Sequence, residues 1–218
     1  MLRAAGRSAG RTPADVPVQG VRVVGDGAAQ VATYGDLVHL VGADAAAYAL
    51  VRTRRSRPVG VDLDIWSGRD ERNPLWRVAF VAYWSGELVR VDGHPPDPAA
   101  GIDDAEAVRL TAALDGLRDA RDAAGSRGEP HRLADHLEHD VVPAHQAFTG
   151  LVHRYVSRLR DDPAGPDVAA YRSSLSLLTR CVDEVTAALA LLGASLPARS
   201  EEASVGRKGP GAYGGERG

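Results

Sequence analysis

The sequence predicts an α+β protein, with a small mixed β-sheet subdomain over residues 18–94 followed by a three-helix antiparallel bundle over 101–193. Three observations predict it. Residues 167–192 carry an unbroken heptad seam, residues 131–160 keep one apolar stripe through an internal proline, and residues 18–92 hold short apolar runs that alternate or are broken by glycine. The flanks, 1–17 and 196–218, are rich in Gly, Arg, Pro, Ser and Glu and are expected to be disordered tails.

A chain of 218 residues with 44% apolar composition can bury a substantial core. Its net charge of −3 exerts no global pull towards nucleic acid or an anionic membrane. Cys181 is the single cysteine, which excludes an intramolecular disulfide framework and a cysteine-rich metal site. No run reaches the ~18 apolar residues that a membrane span requires. Lys208 is the one lysine among 26 basic residues. That bias points to a GC-rich coding genome and hence a bacterial, cytoplasmic protein.

In the first half, Val18 to Val24 reads as a strand closed by a Gly25-Asp26-Gly27 turn. Thr33 is placed to cap a short helix through Tyr34, Leu37, Val38 and Val41, with Gly42 stopping it. Ala45 to Thr53 is ambiguous, and the turn signals that follow favour a strand. Val59 to Trp66 alternates Val61, Leu63 and Ile65 with Asp62 and Asp64, the pattern of a half-buried strand. Val78 to Trp84 is apolar on both faces and reads as a central strand, turned by Ser85-Gly86 into a second arm ending at Asp92. His94-Pro95-Pro96-Asp97-Pro98 then interrupts any regular element and marks a boundary.

In the second half, Asp103 and Glu106 form a helix start that Ile102 can staple against Ala107, and the helix runs to about Gly125. The next helix carries Leu133, Leu137, Val141, Ala144, Phe148, Leu151, Val152, Tyr155 and Leu159 on one stripe, so Pro143 kinks it without ending it. Asp161 to Pro166 turns the chain into the last helix. There Val168, Leu175, Val182 and Leu189 occupy one heptad position and Tyr171, Leu178, Val185 and Leu192 the other, with Cys181 beside the seam as a small buried thiol.

Three groups of residues carry candidate chemistry. Trp66, Trp76 and Trp84 fall within 19 residues and read either as core or as an interface. Arg52, Arg54, Arg55 and Arg57 form the densest basic cluster, suited to a phosphate or an acidic partner. Asp62 and Asp64 stand two apart on the expected strand, where paired carboxylates could hold magnesium.

Residues 54–65, RRSRPVGVDLDI, resemble the acidic strand of the DNA polymerase β-type nucleotidyltransferases, a resemblance that implies Asp92 as a third acid and a Mg²⁺ cofactor. The run His136-Leu137-Glu138-His139-Asp140 resembles the histidine-and-acid helix of hemerythrin-like carriers. At helical spacing, however, His139 and His153 fall opposite the apolar stripe, so a solvated face and no metal site are expected.

The sequence therefore favours a non-catalytic interaction or regulatory module of a bacterial cytoplasmic system, without a cofactor. A protein partner or a homodimer through the last helix is expected, and neither membrane nor nucleic acid is. The alternative is a divergent Mg-dependent nucleotidyltransferase using Asp62, Asp64 and Asp92.

Overall fold

The computed structural model describes residues 20–25, 33–54, 57–92, 97 and 102–195. Strand β1 (Val21–Val24) leads through helices α1 (Tyr34–Val41) and α2 (Ala43–Arg52) to β2 (Val59–Asp62). Helices α3 (Leu63–Trp66), α4 (Pro74–Asp92), α5 (Ala105–Arg127) and α6 (Pro130–His136) follow, then a π-turn (Leu137–Val141), α7 (Val142–Asp161) and α8 (Asp167–Leu191). The protein is mostly helical. Among the described residues the sheet is one parallel pair, Val21 opposite Val59 through Val24 opposite Asp62, and α1 and α2 form the crossover that parallel strands require.

This overturns the expected mixed sheet followed by a three-helix bundle. The decisive difference is α4, a 19-residue helix where a hairpin was expected. A short run that is apolar on every side fits a covered strand and a buried helix equally well, and only length and end signals separate them. Here the end signal is Asn73-Pro74. Asn73 Oδ1 accepts from the amides of Leu75 and Trp76, at 3.0 and 3.2 Å, while its Nδ2 donates to the carbonyls of Trp66 and Gly68. Pro74 then begins the helix, where a missing amide costs nothing.

Two other segments are corrected in the same way. Residues 43–52 form α2, not a strand, because four buried alanines (Ala45, Ala46, Ala47, Ala49) and Tyr48 favour the helix and pack it inside. The expected strand at 59–66 stops at Asp62, whose Oδ1 accepts from the Asp64 amide at 3.0 Å and starts the one-turn helix α3. Elsewhere the expected start and stop signals are found. Thr33 and Asp36 complete a capping box at α1, and Gly42, at φ 85°, lets α1 pass directly into α2. Helix α5 starts one residue later than expected, at an Asp104 cap, and ends at Gly128 instead of Gly125.

Helix α4 packs most extensively on α8, while α5 and α7 also lie against α8. The bundle thus has four long helices, and its core is continuous with the residues that cover the strands, such as Val61, Leu37 and Tyr48. Of the heptad residues, Tyr171, Leu175, Leu178, Val185, Leu189 and Leu192 are buried by helices of the same chain. Leu191 is the one large apolar side chain left exposed on α8 among the described residues. No helix among them is long and apolar enough to cross a membrane.

The expected tails and the boundary at His94 to Pro96 lie outside the described residues, as do Asp26 and Gly27 of the first turn. Leu178→Ala should cost about 2–5 kcal/mol in denaturant unfolding, since it empties a fully buried site, whereas Leu191→Ala should stay within about 0.5 kcal/mol.

Candidate functional site

Folding residues 74–92 as a helix changes what the aromatic residues can do. Trp76, Phe80, Tyr83 and Trp84 follow an i, i+4, i+7, i+8 spacing, which brings them onto one side of α4. Val78, Ala79, Val81, Ala82 and Ser85 occupy the opposite side and are buried. The aromatic side faces solvent, with Phe80 41% and Tyr83 39% exposed. Phe80 and Trp84 stack nearly parallel, 5.8 Å between ring centroids and 10° between planes. Trp76 and Tyr83 flank Phe80 at 6.3 and 6.4 Å in tilted arrangements.

The row extends about 12 Å from Trp76 to Trp84, at about 1.5 Å per residue. Beside its N-terminal end, Trp66 and Trp76 line a hollow of about 250 Å³ together with Asp44, Arg69, Asn73 and Ser195. Trp66 itself is buried, so the three expected tryptophans divide into one core ring and two partly exposed rings.

The basic cluster divides too. Arg52 ends α2, with its guanidinium over the Trp66 ring at 5.8 Å from the centroid. It forms a two-pronged bond to Glu138, Nε to Oε1 at 2.9 Å and a terminal nitrogen to Oε2 at 2.7 Å. Arg54 and Arg57 are exposed in the connection to β2, and Arg55 lies outside the described residues.

Glu138 is 5% exposed. It also accepts from the Tyr48 hydroxyl at 3.1 Å and lies 3.7 Å from Arg77. Burial and the neighbouring Glu138 carboxylate raise the Tyr48 hydroxyl pKa well above its ordinary value, so Tyr48 remains a donor. Sequence periodicity places Glu138 among the acids of a polar run and does not reveal this network. The spacing of Trp76, Phe80, Tyr83 and Trp84 was the legible signal for the aromatic row, once residues 74–92 are read as a helix.

Asp62 and Asp64 do not share a strand face. Asp62 ends β2 and caps α3, whereas Asp64 lies in the first turn of α3 and is exposed. The side chain of Asp92, at the end of α4, lies outside the described residues. Among the described residues no group of three His, Cys, Asp or Glu side chains is placed to hold a metal ion.

The histidines have separate surroundings. His139 and His153 are exposed, as the helical projection requires. His136 lies between two acceptors, the Ala113 carbonyl at 2.7 Å and the Asp140 carboxylate at 3.0 Å, and so ties α5 to the π-turn. A Cβ on Gly116 would stand 2.7 Å from the His136 ring, which makes glycine necessary for that contact. His136, Asp140 and Gly116 border an open groove of about 540 Å³ that also includes Arg54, Asp119 and His139.

His145 is buried and shares a 2.9 Å hydrogen bond with the buried Ser85 hydroxyl. Cys181 adjoins the same serine, and burial pushes its thiol up to about 12, so it is no ready nucleophile. Burial lowers His145 to about 4.

No family model matches the chain. Its fold is similar to that in a crystal structure of a Campylobacter jejuni protein assigned as an arginyl t-RNA synthetase, with a TM-score of 0.63 and 16% identity. The match covers 81% of this chain and 39% of that one. The chain therefore spans about two fifths of the length of the protein it matches, and at this identity the likeness establishes a shared fold.

The buried histidine gives a test of the packing beneath α4. An unfolded histidine titrates near 6.5. With a native value near 4, the unfolded state binds more protons as pH falls through that interval, so stability is retained above pH 6.5 and lost towards pH 4. The loss from His145 should approach about 3 kcal/mol. Chemical denaturation across this range should show it, and His145→Gln should flatten the pH dependence by a similar amount.

Proposed function

We propose that this chain is a tRNA-binding interaction module. The observation that carries the reading is the solvent-facing row of Trp76, Phe80, Tyr83 and Trp84 along one side of α4, with two partly exposed arginines, Arg52 and Arg77, attached to the same network. Exposed aromatic rings in a row supply flat surfaces for unpaired bases, each stacked base contributing about 1–3 kcal/mol. Guanidinium groups nearby can meet the phosphates between those bases.

The likeness to a Campylobacter jejuni protein assigned as an arginyl t-RNA synthetase supports tRNA as the kind of RNA to test. The overall charge of −3 is compatible with this, because the positive charge needed is local. The reading keeps the expectation of an interaction module and changes the class of its partner from protein to RNA. Nucleotidyl transfer through Asp62 and Asp64 gains no support from their placement, with one capping α3 and the other exposed on it.

Fluorescence titration at near-physiological salt tests the proposal. tRNA should bind, and a fully paired RNA duplex of similar length should compete poorly because its bases are stacked internally. Trp76→Ala and Phe80→Ala should each weaken tRNA binding by about 10- to 100-fold, the equivalent of one lost stacking contact. Val108→Ala, at an exposed position on α5, should not. Absence of tRNA binding, or equal binding by the aromatic variants, would contradict the reading.

A further inference from the structure

The two arginines that share Glu138 are not held equally. Arg52 occupies both carboxylate oxygens, and the Tyr48 hydroxyl takes another position on Oε1. Arg77 is left with what remains. Its nearest carboxylate oxygen is 3.7 Å away, outside hydrogen-bonding range, and its Nε is buried without a partner. Among the described residues the Arg77 guanidinium makes no hydrogen bond, yet its side chain is 34% exposed.

Two guanidinium charges share the one buried Glu138 carboxylate, and Asp135 acts electrostatically on Arg52. A cation that has lost part of its water without gaining acceptors favours an incoming anion, and the planar guanidinium matches phosphate oxygens in pairs.

Two other arginines near this region are engaged, while Arg69, beside Trp76 in the hollow, is exposed. Arg90, also on α4, is held by Glu87 at 2.5 Å, and Arg72 by Asp70 at 2.8 Å. Arg77 also has the right neighbour. It precedes Phe80 by three residues, a spacing that sets two side chains next to each other on a helix surface.

We propose that Arg77 is a phosphate-binding residue, gripping the backbone of the RNA strand whose bases lie on the aromatic row. Glu138 is its positioning residue: by taking up Arg52 in a two-pronged bond, it keeps both guanidinium groups beside α4 and leaves the terminal donors of Arg77 without a hydrogen bond. This rests on the tRNA reading above for the identity of the strand, while the anion site itself rests on the geometry of Arg77 alone.

The experiment is tRNA affinity as a function of salt for the wild type, Arg77→Gln, Arg77→Lys and Arg180→Gln, with thermal melting used to confirm that each variant is folded. Removing one phosphate contact should weaken binding by roughly tenfold and reduce the slope of log affinity against log salt by about 0.7. Arg77→Lys should keep that slope while losing part of the affinity, because it preserves the charge but not the fork. Arg180→Gln, which removes a guanidinium already bonded to Asp115, should change neither quantity. Unchanged affinity and slope in Arg77→Gln would overturn the proposal and leave the tRNA reading standing.

Were the wild type not to bind tRNA, the tRNA reading would fall and the anion site would still be testable with inorganic pyrophosphate. A saturable shift of the Arg77 Nε–Hε nuclear magnetic resonance signal, absent with sodium chloride at equal ionic strength, would sustain the anion site. No such shift would overturn it. Displacement of bound tRNA by polyglutamate at equal charge concentration would overturn its assignment to phosphate and indicate an acidic protein partner.

Discussion

Glu138 is a carboxylate almost sealed from water, and such a group is tolerated only where charge and hydrogen bonds compensate its lost hydration. Here the compensation comes from Arg52 and Tyr48 of α2 and from Arg77 of α4. One side chain on the π-turn therefore connects three parts of the chain that no apolar contact would orient as narrowly. Apolar packing sets α4 against α8. The Glu138 network adds direction to that packing, because a two-pronged carboxylate–guanidinium bond tolerates little rotation of either partner. Removing one member of such a buried pair commonly costs about 3–5 kcal/mol, which is why the surroundings of the aromatic row depend on it.

The π-turn explains how an acid from the middle of a helical stretch reaches these partners. Pro143 follows it and contributes no amide, so regular hydrogen bonding cannot be continued through this point. The turn before it carries Glu138 towards α2 and α4 and Asp140 towards His136. His136 in turn meets α5 across Gly116, where only a glycine leaves room for the ring. A local irregularity thus sustains contacts on two sides, while the apolar stripe is buried from Leu133 to Tyr155 and partly buried at Leu159.

Much of this architecture is legible in residue order, and the exceptions have physical causes. The heptad spacing of α8, the Thr33 capping box and the continuity of the stripe through Pro143 are local signals, and each corresponds to an observed feature. Helix α4 was hidden because Val78 to Trp84 is apolar all round, which suits a covered strand and a buried helix alike. Its cap, Asn73-Pro74, carried the information that the hydrophobic pattern lacked. The Glu138 network was beyond local reading altogether, since its partners lie 86 and 90 residues away in sequence. Arg52 stands out in sequence because it belongs to a basic cluster, whereas Arg77 is an isolated arginine in an apolar run that no local pattern marks.

If the chain binds tRNA as proposed, the aromatic side of α4 is the face that meets it. Oxidative footprinting of the protein, with and without tRNA, reads this directly from the side chains. Trp76, Phe80, Tyr83 and Trp84 should be protected on tRNA binding, with the oxidation of His139 and His153 unchanged. Protection of the histidine groove with the α4 aromatics left fully reactive would contradict it.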